Sequence, residues 1–423
     1  MNSRISRRSI NTGLGAALIS PALVRGPAFA AGEPIKIGFS MAQTGGLAGA
    51  GQQALLGNQI WEEETNAKGG LLGRPVKLVY YDDQTKPENV PGIYTKLLDV
   101  DKVDLVVGPY GTNMVAPAIP TVMQKGKTFI GLFALAANSE FHYPKYFSML
   151  PAGPTPKQAF TEGFFQVAAA QNPKPQTVAL AAEDAEFSRN AAEGARDNIK
   201  KYGFKIVYDK NYPPATTDFS PIIRAIQATN ADLVVICSYP PTSVGMLQSA
   251  SELGLKPKMM GGGMVGLQFT AIKSKLKGKL NGIVNYENWV PSPKLMAPAK
   301  DFFAKYQARA QGLGIDPLGY YLGGWGYSYL QVLAQAITGA KSIEDNKLAE
   351  YLRSNSFDTI MASGIKFGKD GEWTKSRVVF TQFQNVADNS VDQFKDTTHE
   401  VIVWPDQYKS GNMIYPYSAA KKP

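Results

Sequence analysis

The chain has 423 residues and a formal net charge of +9, with 44% hydrophobic residues, two histidines and a single cysteine, Cys237. This length is enough for two domains of about 150–200 residues, each with its own core. Lysine and arginine are scattered rather than clustered, which argues against a nucleic-acid-binding surface, and one cysteine excludes an internal disulfide.

Residues 1–30 have the pattern of a cleaved export signal. Arg7 and Arg8 precede a mild apolar run, Ile10–Val24, and Ala28-Phe29-Ala30 supplies the small residues that a signal peptidase requires. The paired arginines favour twin-arginine export over the ordinary secretory route. The leader holds four arginines and no acidic residue, so the mature chain carries +5. We expect cleavage after Ala30 and a soluble periplasmic protein; the alternative is an uncleaved amphipathic anchor.

The first half of the mature chain alternates between strand and helix patterns. The apolar spacing predicts strands at Ile35–Met41, Val76–Tyr81, Asp104–Val107 and Thr128–Leu132, and helices at Ala48–Ala67, Asn89–Val100 and Met114–Met123. This order is typical of a parallel sheet with helices on both faces.

The pattern pauses at the proline-rich stretch Pro151–Pro156 and then restarts. The second set comprises strands at Thr177–Ala181, Lys205–Tyr208, Asp232–Ile236 and Ile283–Trp289, helices at Phe160–Ala170, Ala191–Tyr202, Asp218–Thr229, Val244–Leu253, Ala297–Gln311 and Leu322–Ala340, and short strands at Gly364–Phe367 and Arg377–Asn385. Because the second βα set is as long as the first, we predict an α/β fold with two similar, doubly wound lobes.

The segment Asp104–Ala118 is the strongest candidate for part of a binding site. A short apolar strand ends at Gly108-Pro109, and Thr112 and Asn113 then open a helix. The first N–H groups of a helix have no internal partner and its dipole makes that end positive, so this turn can hold a carboxylate. The alternative is that Thr112 merely caps its own helix.

Ligands of such sheets bind at the carboxyl ends of the strands. Those positions here are Gly45-Gly46, Thr112-Asn113, Phe133-Ala134, Glu183–Ser188, Tyr239-Pro240 and Gly261–Met264. They form no catalytic pair, the sequence has no G-x-S-x-G, and His142 and His399 are far apart, which disfavours a hydrolase triad and a zinc site. We expect a site that encloses a small organic molecule without reacting with it.

Three glycines have the spacing of a dinucleotide-binding motif, but their position in the chain does not suit one. Gly261, Gly263 and Gly266 spell G-x-G-x-x-G, but the motif comes at the end of the second set, and the candidate acid, Glu287, is late. We therefore expect no cofactor and interpret the glycines as a turn that lets a ligand approach the backbone.

Several blocks of sequence carry a likeness to a known family. They are Ile35–Gly38, Thr44-Gly45-Gly46, Asn66–Val76, Tyr81-Asp82-Asp83, Gly108-Pro109 and Asp218–Pro221. The chain resembles the periplasmic branched-chain amino-acid-binding proteins, which deliver hydrophobic amino acids, amides and related compounds to ABC transporters. The resemblance implies a type I periplasmic binding fold, with two Rossmann-like lobes joined by three hinge crossovers, a ligand in the cleft, and a membrane permease as partner of a monomer. We place lobe 1 at 31–151 and 289–360 and lobe 2 at 152–288 and 361–423.

The resemblance also implies a set of ligand-binding residues. Thr112 stands where a hydroxyl holds the ligand carboxylate, and Gly263 stands where the family usually has a glutamate for the ligand ammonium. The whole set is Tyr110, Thr112, Asn113, Phe133, Ala134, Leu135, Phe187, Tyr239, Gly263 and Met264. Leu135 replaces a usual threonine, Phe187 a usual tyrosine, and Ala50 an aromatic residue of the first turn.

These departures predict a ligand without a charged amine. Burying an ammonium with no carboxylate partner costs several kcal/mol, so the missing glutamate favours an aromatic acid or an oxo-acid. An ordinary amino acid stays open if Glu183 or Asp184 takes the ammonium. An enzyme or a ligand-sensing domain on the same scaffold are the alternative functions. The sequence does not decide whether five aromatic residues line the cleft or pack in the core: Trp289, Trp325, Tyr327, Tyr320 and Tyr321.

Overall fold

The computed structural model describes residues 32–421, so the predicted leader lies outside the described residues. The strands are β1 (Ile35–Met41), β2 (Val76–Asp82), β3 (Leu105–Val106), β4 (Phe129–Gly131), β5 (Tyr146–Ser148), β6 (Thr177–Glu183), β7 (Lys205–Tyr212), β8 (Leu233–Ser238), β9 (Met259–Met264), β10 (Ile283–Glu287), β11 (Ser356–Phe357), β12 (Ile365–Lys366), β13 (Val379–Phe383) and β14 (Glu400–Trp404). The helices are α1 (Ala48–Ala67), α2 (Val90–Asp99), α3 (Thr112–Gln124), α4 (Pro156–Ala169), α5 (Glu186–Lys201), α6 (Ser220–Ala228), α7 (Pro240–Glu252), α8 (Thr270–Leu276), α9 (Pro293–Ala310), α10 (Gly323–Ala340) and α11 (Asp345–Ser354).

The first lobe is built on a parallel sheet. Strands β2, β1 and β3 pair in that order, and a parallel bridge between Tyr110 and Leu132 links them to β4, which pairs with β5. Six of the seven residues of β1 are buried, as expected for a sheet covered on both faces. Helix α1 packs against α10, and α2 against α3.

The second lobe is built on seven strands in the order β14-β13-β10-β9-β8-β6-β7. Strands β6 to β10 run parallel, whereas β13 and β14 are antiparallel additions at one edge. Strand β8 consists entirely of buried residues, and α4 packs against both α5 and the central strands β9 and β10. Two doubly wound α/β lobes are therefore present, and the predicted fold is confirmed.

Three segments cross between the lobes, at residues 149–155, 288–292 and 374–378. The third crossover comes later than the boundary at 360/361 that we predicted. The N–H of Ser148 donates to Gly371, the indole N–H of Trp373 donates to Ser148, and the Phe147 and Phe367 rings are 5.2 Å apart. These contacts attach residues 361–373 to the first lobe, because the β11–β12 hairpin packs at the edge of its sheet beyond β5.

The glycine-rich segment at Gly261 is a strand rather than the turn that we predicted. Gly261, Gly262 and Gly263 lie within β9, between β8 and β10. A Cβ atom at Gly261 would lie 1.6 Å from the carbonyl oxygen of Val284, so the glycine permits close strand pairing. Strands β5, β11 and β14 and helices α8 and α11 were also missed. The pattern at Cys237 was interpreted correctly, because its thiol is buried and burial raises its pKa to about 12.

Candidate functional site

The predicted ligand-binding residues lie at the carboxyl ends of strands in both lobes. Nine of them are buried in this structure: Tyr110, Thr112, Phe133, Ala134, Leu135, Phe187, Tyr239, Gly263 and Met264. Asn113 is half-buried. The two lobes contact each other across this region, so the structure is that of a closed cleft.

Thr112 occupies the first turn of α3 and does not cap it. The cap position is Gly111, whose φ of +90° suits glycine, and the Thr112 hydroxyl oxygen instead accepts from the Leu135 N–H at 2.9 Å. Backbone bonding at this turn begins with Met114, whose N–H donates to Gly111. Within residues 32–421, the N–H group of Thr112 has no backbone acceptor, as expected at a helix N-terminus, whereas the Asn113 N–H lies against the Tyr239 hydroxyl oxygen. The turn therefore presents the Thr112 N–H and the Thr112 hydroxyl proton.

Replacing Thr112 with valine is expected to destabilise the first lobe by about 1–3 kcal/mol, because the buried Leu135 N–H loses its acceptor while the side-chain volume is kept. Urea unfolding of the ligand-free protein measures this loss of stability. Thr112→Ser keeps the hydroxyl and serves as the control. Equal midpoints for the valine variant and the unmodified protein would contradict the assignment.

Tyrosine hydroxyls from both lobes converge beside this turn. The Tyr110 and Tyr321 hydroxyl oxygens are 2.9 Å apart, and Tyr286, at the end of β10, lies close enough to influence the pKa of Tyr321. Burial raises the pKa of all three phenols, so each stays neutral and keeps its proton. One shared hydrogen bond uses one of the two protons of Tyr110 and Tyr321, which leaves a donor for a further acceptor.

The aromatic residues that the sequence left open now separate into two groups. Tyr321 contacts Phe133 of the first lobe and Phe269 of the second, with ring centroids 5.8 and 5.2 Å apart. Trp325 contacts Phe133 at 5.3 Å. By contrast, the core members pack away from the cleft: Trp289 and Tyr320 against Phe303, and Tyr327 against Phe302. Phe160, Phe269 and Tyr286 were missed; of these only Tyr286 sits at a strand end and could have been found.

Gly263, at the position of the usual glutamate, faces an aromatic ring. A Cβ atom there would lie 3.2 Å from Phe160 and 3.5 Å from the Cys237 sulfur. The Phe160 ring, in α4, also contacts Phe187 and Tyr286, with centroids 5.3 and 4.1 Å apart. The space beside Gly263 is thus filled by Phe160 rather than open to a charged group.

The two acids considered as ammonium partners are already engaged. One carboxylate oxygen of Glu183 accepts from the Tyr239 N–H at 2.8 Å and from the Thr242 hydroxyl. Burial raises the pKa of Glu183. Asp184 is exposed and pairs with Arg189 at 2.9 Å. Asp184 therefore already has a charged partner, and Glu183 is held to the start of α7 through one of its two carboxylate oxygens.

A cavity of about 510 Å³ lies between the lobes at the edge of the cleft. It is lined by Asn113, Ala116, Pro117, Pro120, Pro87, Glu140 and Phe141 of the first lobe and by Asp184, Ala185, Glu186 and Arg189 of the second. Burial and the facing carboxylate of Glu140 raise the pKa of Glu186. The cavity has an apolar, proline-rich wall on one lobe and a charged wall on the other.

No metal-binding cluster of three or more His, Cys, Asp or Glu side chains occurs in the described part of the chain. Nor does any helix between residues 32 and 421 combine the length and apolarity needed to cross a bilayer.

Comparison with known proteins gives a consistent result. A family model described as periplasmic binding protein matches residues 34–388. A Leu/Ile/Val-binding protein homolog of Brucella suis is 24% identical over 397 residues, covering 90% of this chain and 95% of its own length.

Two solved structures share the fold. One is a branched-chain amino acid transporter substrate-binding protein of Streptococcus pneumoniae with isoleucine, at TM-score 0.72 and 20% identity, covering 88% of this chain and 100% of its own. The other is a solute-binding protein of an ABC transporter from Rhodopseudomonas palustris with 3,4-dihydroxybenzoic acid, at TM-score 0.71 and 16% identity, covering 88% and 95%.

Proposed function

The chain belongs to the family of periplasmic binding proteins, of the branched-chain amino acid ABC transporter type, and from that premise we propose that it captures a small carboxylic acid without a charged amine and delivers it to a membrane permease. The proposal includes export by the predicted leader, a periplasmic location, a monomeric state and no turnover of the ligand. Closure of the lobes around the ligand is the signal that the permease recognises.

One observation supports the choice of ligand class: the Thr112 turn and the Tyr110–Tyr321 pair both present hydrogen-bond donors to the cleft. The Thr112 turn offers the Thr112 N–H and hydroxyl proton, and the Tyr110–Tyr321 pair offers a phenol proton. Two acceptor atoms beside the turn are engaged, since Oε2 of Glu183 and Oδ1 of Asn113 each receive two hydrogen bonds. A carboxylate matches such a donor set, whereas an ammonium, which can only donate, would be buried unpaired.

The structural neighbours fit either ligand class. One was solved with isoleucine and the other with an aromatic acid, and both are less than 25% identical to this chain. Their likeness extends to the scaffold, so the choice rests on residues of this chain. Phe160 beside Gly263, and the ring cluster of Phe187, Tyr239 and Tyr286, favour an aromatic or branched apolar acid.

Matched ligand pairs test the proposal by isothermal titration of the mature protein. The pairs are phenylpyruvate with L-phenylalanine and 4-methyl-2-oxopentanoate with L-leucine, which differ at the amine, and benzoate is a further amine-free probe. We expect the amine-free member of at least one pair to bind more than about 100-fold more tightly, since an unpaired ammonium costs several kcal/mol. Tight leucine binding with no affinity for the acids would overturn the choice, and mass spectrometry of the titrated mixtures checks that no ligand is converted.

A further inference from the structure

The side chain of Asn113 joins the first lobe to two elements of the second. Its amide oxygen accepts from the backbone N–H of Phe187 at 3.1 Å and from the Tyr239 hydroxyl at 3.2 Å. Phe187 lies in the first turn of α5, and Tyr239 precedes α7. Asn113 itself lies in the first turn of α3. Both bonds span the cleft and must break when the lobes separate.

The bond to Phe187 supplies a cap that α5 lacks. The cap position of α5 is Ala185, which has no side-chain acceptor. In an ordinary helix the cap side chain accepts from the N–H of the second or third helical residue, and Phe187 is the second residue of α5. Asn113 therefore caps α5 from the first lobe, as a serine or asparagine at the cap position itself would do.

A second, independent hydrogen bond also joins the two lobes and so favours the closed form. The amide of Asn190, one turn further along α5, donates to the Leu135 carbonyl oxygen at 2.9 Å. The N–H of the same Leu135 donates to Thr112. The first-lobe loop that carries Leu135 is thus tied both to the proposed carboxylate turn and to the second lobe.

We propose that Asn113 is an inter-lobe latch, a positioning residue that completes the N-terminus of α5 only when the lobes are closed. The free energy of this cap and of the Tyr239 bond is available without a ligand, so the ligand-free protein populates the closed form. Less of the ligand's binding free energy is then needed for closure, and its apparent affinity rises with the closed fraction. The effect on affinity rests on the proposed function; the closure of the free protein does not.

The latch is tested on the ligand-free protein by the distance between two spin labels. Exposed Glu88 of the first lobe and exposed Lys200 of the second are replaced by cysteine and labelled. The native Cys237 is buried and its raised pKa keeps its thiol unreactive, so it needs no replacement. We expect one major distance that matches the closed structure.

Three variants are compared in this background. Asn113→Ala removes both acceptor bonds and is expected to lower the closed-to-open ratio about tenfold, the value of one to two hydrogen bonds. Asn113→Asp keeps an acceptor oxygen in the same place, and is expected to keep the closed population. Thr121→Ala, in the same helix and away from the cleft, is the control for a general effect on α3.

The outcomes separate the latch from a ligand contact. If Asn113→Ala weakens acid binding but leaves the ligand-free distances unchanged, Asn113 touches the ligand and the latch is overturned. It is equally overturned if the alanine and aspartate variants open the free protein to the same extent. If none of the tested acids binds, the proposed function fails while the ligand-free distances still decide the latch.

Discussion

The substitution Glu372→Gln is expected to raise the free energy of unfolding at pH 8. The gain at pH 8 should exceed the gain at pH 5 by on the order of 4 kcal/mol. Glu372 follows the β11–β12 hairpin and is buried, with one carboxyl oxygen that has no hydrogen-bond partner among the described residues. It lines a cavity of about 280 Å³ where the first lobe, the first crossover and this hairpin meet. Burial of this carboxyl, assisted by the nearby Asp370, raises its pKa from 4.5 to about 8.

The sign follows from proton binding in the two states. Between pH 4.5 and 8 the folded protein keeps the proton on Glu372 while the unfolded chain loses it, so the free energy of unfolding falls as pH rises through this window. At about 1.4 kcal/mol for each pH unit, the loss approaches 4–5 kcal/mol. Glutamine resembles the protonated carboxyl and does not titrate, so it removes this loss.

Urea unfolding at a series of pH values from about 5 to 9, which spans the titration, measures the effect. The unmodified protein and Glu372→Gln should have similar stability near the acidic end and diverge as pH rises. Glu344→Gln, which removes an exposed carboxyl, is the control and should follow the unmodified protein. Parallel curves for all three proteins would contradict a raised pKa at Glu372.

The sequence predicts the scaffold better than the site. Strand β8 is an almost continuous apolar run, β1 has an apolar residue at every second position, and α1 has the predicted limits, because burial in the sheet leaves a strong local pattern. The strand β9 lacks that pattern, since its three glycines carry no strand preference of their own, although Gly261 allows close pairing with β10.

The site depends on contacts between distant parts of the chain. The strand-end rule selected Thr112, Asn113 and Tyr239, the family resemblance added Tyr110, and all four lie at the lobe interface. It could not show that Asn113 bonds partners 74 and 126 residues away. Phe160 was also beyond this rule, because it approaches Gly263 from the first turns of a helix. Helical aromatic residues usually pack in cores, so sequence gives no signal for its place here.

A double substitution, Phe160→Ala with Gly263→Glu, is expected to reverse the ligand preference proposed above. The alanine vacates the space beside Gly263, where the Phe160 ring lies 3.2 Å from the position that a Cβ atom would take. The glutamate supplies the carboxylate that an ammonium needs. We expect the preference for phenylpyruvate to become a preference for L-phenylalanine, a swing in relative affinity of about 10³-fold, because a buried ammonium gains a charged partner.

The single variants show which group is responsible. Gly263→Glu alone places a carboxylate against the Phe160 ring without room or partner, so it is expected to lower the free energy of unfolding by about 2–5 kcal/mol and to gain no amino-acid binding. Phe160→Ala alone should weaken both members of the ligand pair similarly, because it removes packing but adds no charge. If the double variant folds and still prefers the oxo-acid, the missing glutamate does not set the ligand class, and another group in the cleft must exclude the amine.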